Sequence, residues 1–277
     1  MRFPNTAKFL LPVAGLFLLH ACSHVPLTGR KQVKLMPESE LVQMSLAAYN
    51  EFLSANNIVE SGPDQAMVER VARNLGKSAT DILRTEGFQD RIAELAWDVN
   101  LVNDPLVNAW AMPGGKIVVY TGLLDVTQTE AGLAAVMGHE MAHAIARHGN
   151  ERMSQGLAAE LGMVALDIGT MRQSEETRQL IMLAAGVGTQ LGVMLPFSRL
   201  HESEADELGL IFMAHAGYDP NEAIPFWERM AALGTNPVPE FLSTHPSHET
   251  RIDNIRNKYL PVAMTYYQQA QSRRTKP

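Results

Sequence analysis

Gln128-Thr129-Glu130-Ala131-Gly132-Leu133-Ala134-Ala135-Val136-Met137-Gly138-His139-Glu140-Met141-Ala142-His143-Ala144-Ile145-Ala146-Arg147-His148 decides how the chain is read. The segment has no proline and sets apolar Leu133, Val136, Met137, Ala144 and Ile145 around an H-E-x-x-H pattern, so its spacing predicts a helix over 128–148. Residues four apart on an α-helix differ by about 40° in azimuth. His139 and His143 therefore project from one face, where two imidazoles can hold one zinc ion at about 2.0–2.1 Å. Glu140 leans beside such an ion rather than onto it. There it can take a proton from water whose pKa the metal has lowered and pass it to a leaving amine. A pattern with three fixed positions also recurs by chance, so a third ligand has to carry the assignment.

A catalytic zinc site pairs three protein ligands with an open position. His148 lies nine positions after His139, one short of the spacing at which metzincins place their third histidine, and Gly149 stands at that place. His148 is therefore read as structural. Downstream, Ser198-Arg199-Leu200-His201-Glu202-Ser203-Glu204-Ala205-Asp206 sets Glu202 and Asp206 four apart on a predicted helix, with Glu204 pointing elsewhere. Glu202 is the expected third ligand. Asp206 is the expected acceptor for the second nitrogen of a ligand histidine.

Around this centre the pattern predicts helices at 38–56 and 63–84, then at 154–171, 175–195, 199–216, 220–233 and 247–259. Between Ile92 and Tyr120, alternating Trp97, Val99 and Leu101 and two short apolar runs flank Pro113-Gly114-Gly115, which predicts a small antiparallel sheet with a hairpin at the glycines. The run Asn108-Ala109-Trp110-Ala111-Met112 is a candidate edge strand that pairs with an extended substrate peptide. Leu180 to Leu195 is apolar, but it contains Thr189 and Gln190 and stops at Pro196, short of the ~20 residues that span a bilayer. It reads as a buried core helix. The fold class is α+β, mainly α, with one domain over 38–260, a linker over 22–37 and a polar C-terminal tail over 261–277.

The single cysteine, Cys22, excludes an internal disulfide. It follows Arg2, Lys8 and the apolar run Phe9 to Leu19, with Ala21 immediately before it. This arrangement resembles a bacterial lipoprotein signal over residues 1–21, with lipidation at Cys22. Loss of Arg2 and Lys8 would take the net charge from −7 to −9. An acidic chain without a basic block is a poor nucleic-acid binder. Ser23 after the cysteine, by analogy with enterobacterial lipoproteins, implies the outer membrane with the body in the periplasm.

Taken together, His139-Glu140-x-x-His143 with Arg147-His148, the Ser198-Arg199 to Glu202-x-x-Ala205-Asp206 block, and Thr244-His245-Pro246 with Arg251 resemble the HtpX, Oma and CAAX prenyl protease family of gluzincin-type zinc metallopeptidases. The run from Val107 to Gly115 is similar to the strand and turn that this family places ahead of its metal helix. The resemblance implies a zincin-like fold and one Zn2+ per chain held by His139, His143 and Glu202. It further implies Glu140 as general base and acid, Asp206 in support, and His245 and Arg251 as catalytic groups able to donate to the developing oxyanion. The implied substrates are misfolded or unassembled envelope proteins. The alternative is a zinc-containing chaperone or assembly lipoprotein that binds such clients without cutting them.

Overall fold

The structure, a computed structural model, describes residues 22–234, 239–245 and 249–274. The expected signal segment, Pro246 and His248 lie outside the described residues. A hairpin of β1 (Cys22–His24) and β2 (Lys31–Val33) leads to helices α1 (Glu38–Ala55), α2 (Pro63–Thr85) and α3 (Gln89–Glu94). Next come strands β3 (Asp98–Val102), β4 (Ala109–Met112) and β5 (Lys116–Tyr120), then α4 (Thr121–Thr127) and the metal-motif helix α5 (Glu130–Ile145). Helices α6 (His148–Thr170), α7 (Glu175–Thr189) and α8 (Leu195–His215) follow, with a π turn at Gln190–Met194 between the last two. The chain closes with α9 (Ala223–Ala232), α10 (Glu240–Thr244), α11 (Glu249–Asn254) and α12 (Leu260–Arg274).

The three-stranded sheet has the order β3-β5-β4. The β4–β5 hairpin is antiparallel as expected, turning through Gly114 and Gly115 at φ 86° and 84°, but β3 runs parallel to β5. The sheet is therefore mixed. Lys116-Ile117-Val118-Val119-Tyr120 is buried almost throughout, so it belongs in the middle, and two chain reversals through β4 bring it alongside β3 in the same direction. The core lies between this sheet, α2, α5 and α8, around Val68, Leu75, Leu101, Ile117, Leu133, Met137 and Phe212.

Three other expectations change. Residues 22–37 are more than a linker, because Gln32 is buried and its Nε2 donates to the Ala146 carbonyl at 2.7 Å. Within the expected polar tail, α12 packs along α8, with Ala263 and Ala270 buried and Tyr266 and Tyr267 against the core. Its apolar residues are spread round the helix rather than set on one face, which leaves no periodic signal for that contact. The 180–195 segment is helical but lies outside the core, with Leu180 and Leu183 67% and 66% exposed. Nor does Pro196 stop it. The helix runs on from Glu175 to His215, and the widened π turn stands where proline would otherwise remove an i→i−4 bond.

Candidate metal centre

Helix α5 starts at Thr129, whose hydroxyl caps the Gly132 N–H at 2.9 Å. It crosses α8 backbone to backbone. A Cβ on Gly138 would meet the Gly209 carbonyl oxygen at 2.8 Å, and one on Gly209 would meet the His139 nitrogen at 2.7 Å. Glu202, Asp206 and Gly209 recur at spacings of four and three on one face of α8, so this crossing delivers both carboxyls to the two histidines of α5.

Four ligand atoms converge, from His139, His143, Glu202 and His245, all within 4.8 Å of one another. The Nε2 atoms of His139 and His143 are 3.1 Å apart, and His245 Nδ1 stands 3.2 Å from His139 Nε2. Glu202 lies 3.3 Å from His139 Nε2, 3.4 Å from His143 Nε2 and 2.9 Å from His245 Nδ1. Tetrahedral zinc with bonds of about 2.0–2.1 Å separates its ligands by about 3.3 Å. The donor set fits.

The surrounding hydrogen bonds fix how each ring faces this point. His139 Nδ1 is 3.0 Å from Asp206 Oδ1, which places its proton there and leaves Nε2 bare. His143 Nδ1 is 2.8 Å from His148 Nδ1, and His148 Nε2 is 2.9 Å from Glu204. Burial holds His148 down at about 4 despite Glu204. A neutral His148 that donates from Nε2 can accept the His143 Nδ1 proton, so the Nε2 atoms of both ligand histidines turn their lone pairs into one pocket. Two such lone pairs at 3.1 Å call for a cation between them. With a proton in place of a cation, burial and Arg251 oppose charge on His139, yet Asp206 and Glu202 raise it to about 9. In that protonated state burial also works to raise Glu202, but hydrogen bonds from His139, His143 and His245 drive it far below the carboxylate range.

Glu140 is buried on the next position of α5, and burial raises its pKa against the pull of His245 and His139. The Ala111 backbone in β4, the edge strand of the sheet, faces it and pulls the other way. This brings Ala111, at the end of the run Asn108, Ala109, Trp110 and Ala111, to Glu140, while Trp110 packs edge-on against Phe52 of α1 at 5.0 Å.

His245 stands within reach of the same point as His139, His143 and Glu202, so it could also serve as a ligand. Arg251 donates from Nε and Nη2 to Asp206 at 2.8 and 2.6 Å and stacks over Trp227 at 3.4 Å from the ring centroid, so it anchors the carboxylate behind His139.

The sequence reads His148 as structural and turns Glu204 from the metal face, as observed, but does not pair them with each other, with His143 or with Arg30. Arg147 adopts a left-handed conformation, φ 56°, that resets the helical phase and swings His148 back against His143, so no regular period links the two. Arg30 donates to both Glu204 and Glu151 at 2.8 Å, and Thr28 donates to Glu204 at 2.5 Å. Nothing local in 22–37 signals that partnership.

A histidine pair on one helix, a carboxylate from the helix that crosses it and a buried glutamate against a sheet edge are the working parts of a zincin-type metallopeptidase. All of these lie within residues 65–259, which match the family model "Peptidase family M48", and the chain belongs to that family. It is 33% identical over 267 residues to the mitochondrial metalloendopeptidase OMA1 of Schizosaccharomyces pombe, covering 95% of this chain and 73% of that protein. To OMA1 of Danio rerio it is 32% identical over 272 residues, 95% of this chain and 55% of the relative. To the beta-barrel assembly-enhancing protease of Escherichia coli it is 31% identical over 224 residues, 74% of this chain and 45% of the relative. The chain thus spans about half the length of the latter two.

Proposed function

We propose that the chain is a zinc-dependent metalloendopeptidase that cuts unfolded or unassembled proteins of the cell envelope, tethered through lipid on Cys22 and facing the periplasm. The observation that carries the catalytic reading is the convergence of His139, His143 and Glu202 at zinc-ligand separations with Glu140 buried beside them. Zinc bound there supplies a Lewis acid for the substrate carbonyl and lowers the pKa of water. Glu140 receives the proton of the attacking water and returns it to the leaving amine. Burial raises the pKa of Glu140, which favours its taking up that proton. The edge of β4 hydrogen-bonds the main chain of an extended peptide, which favours substrates that have lost their fold. Support for an envelope setting comes from the signal-like first 21 residues and from the similarity to the bacterial beta-barrel assembly-enhancing protease.

Zinc analysis of the purified chain, with casein digestion by wild type and by Glu140→Gln, tests this reading. Retained zinc with lost digestion supports it. Undiminished digestion by Glu140→Gln defeats it, and absence of digestion by a zinc-loaded wild type favours the non-cleaving chaperone.

The position of His245 favours a second feature of the same enzyme. Its Nδ1 stands against His139 Nε2 and Glu202, where it could serve as a fourth ligand and would then have to withdraw before the attacking water could bind. His245→Ala then raises basal cleavage, whereas a fall would return His245 to the oxyanion role.

A further inference from the structure

The most conspicuous unpartnered surface is the arm formed by α6, α7 and the π turn. These helices pack on one another, with Arg178 donating to both oxygens of Asp167 at 2.8 and 2.7 Å. Their outward faces are apolar. On α6, Leu157, Leu161, Val164, Ile168 and Met171 recur at spacings of four and three, all exposed. Leu180, Leu183, Val187 and Leu191 make a second exposed stripe on the returning helix and its π turn. Soluble monomers rarely leave so large a contiguous apolar surface open to water.

We propose that this arm docks in a lipid bilayer. Residues 179–198 contain no charged side chain on any face of the helix, a run of 20 bounded by Arg178 and Arg199. At ~1.5 Å per residue such a run is about 30 Å long, the thickness of a bilayer's hydrocarbon core. A second copy of the chain would cover one stripe, whereas lipid covers every face. Along α6 the only charged residue between Arg152 and Asp167 is Glu160, and Asp167 is neutralised by Arg178.

The N-terminal segment points the same way. Cys22, to which the apolar run Phe9 to Leu19 is joined in sequence, lies in β1, and β2 leads from there to Leu35, whose N–H is bonded to Ser154 at the root of the arm. Exposed Val33 and Leu35 extend the apolar surface to that root. Cys22, paired with Val33, thus lies close in the fold to the root of the arm. Glu202 lies four residues beyond the uncharged run on the same continuous helix, about 6 Å along its axis. Docking of the arm therefore sets the metal centre at the membrane surface, where it meets substrates emerging from or failing to enter the bilayer.

The test uses the full chain with Cys22→Ser, so that an introduced cysteine is the sole thiol. Leu161→Cys, Leu183→Cys and, as a control on exposed α2, Lys77→Cys are each labelled with nitrobenzoxadiazole and mixed with phosphatidylcholine–phosphatidylglycerol vesicles. Emission at positions 161 and 183 should rise severalfold and be quenched by doxyl-labelled lipid, with position 77 unchanged. No lipid response at 161 and 183 overturns the proposal, even if the protein binds vesicles through its N-terminal segment. So does a rise that tracks protein concentration without lipid and resists doxyl quenching, which would identify a second copy as the occupant. Zinc content and casein digestion of the same variants are read in parallel, so failure of the docking idea leaves the metallopeptidase reading intact.

Discussion

The stretch from His139 to Asp206 forms two regions of opposite character. At its ends, α5 and α8 touch backbone to backbone, and His139, His143, Glu202 and Asp206 each meet a specific polar partner. In its middle, the arm of α6 and α7 carries mostly apolar side chains and buries few of them in the fold. Over that stretch polar residues share the interior with a few apolar ones, while most of the large apolar side chains lie outside. Burial thus follows the positions of the metal ligands rather than hydrophobicity alone. The polar interior is affordable because each ligand has a hydrogen-bonded partner behind it.

Substitutions that break the contrast should show it in order of size. Glu140→Gln removes the proton acceptor and should lower the rate of peptide cleavage by about 10²–10⁴-fold with zinc retained, measured on a fluorogenic peptide. Next is His148→Ala, which takes away the acceptor that turns His143 Nε2 inward. Zinc affinity measured by chelator competition should fall by about 10–100-fold, and Glu204→Gln should give a smaller loss in the same direction. An effect of neither would separate this pair from the metal site. Gly209→Ala presses a methyl group to 2.7 Å from the His139 nitrogen. It should cost about 1–3 kcal/mol of stability by denaturant titration and weaken zinc as Glu202 is pushed back.

A smaller effect comes from acid. Burial acts to raise Glu151 and Glu204. Hydrogen bonds from His201 and Arg30 nevertheless hold Glu151 at about 2, and those from His148, Arg30 and Thr28 hold Glu204 at about 2. Both values lie below the ordinary 4.5, so the stabilisation is complete above pH 4.5 and is lost as pH falls towards 2. Arg30→Met should move the acid-unfolding midpoint to higher pH in circular dichroism. On the arm, Leu183→Ser should change stability in solution by no more than about 0.5 kcal/mol, because Leu183 is already exposed to water. A loss of several times that would mean the arm is part of the folded core after all.

Much of the centre was legible in the sequence because its residues obey helical spacing. His139 and His143 on one helix, and Glu202 and Asp206 on another, needed only the 3.6-residue turn to be paired. What stayed hidden depends on features that spacing does not encode. His148 reaches His143 through one left-handed residue, Arg147, and Arg30 reaches Glu204 across 174 positions of chain. Hydropathy misassigned the 180–195 helix to the core, since an apolar run of that length fits a protein interior and a lipid environment equally well. The direction of β3 was lost for a similar reason, because alternation marks a strand but does not order it in a sheet.

The account depends on one zinc ion shared by His139, His143 and Glu202, with His245 within reach of the same point. Zinc-edge X-ray absorption of the purified chain reads that arrangement directly. It should show one zinc per chain with four nitrogen or oxygen neighbours at about 2.0–2.1 Å, several of them imidazoles, and no sulfur. A chain that purifies without zinc and takes none up, or a zinc whose shell is unchanged by Glu202→Ala, would contradict it.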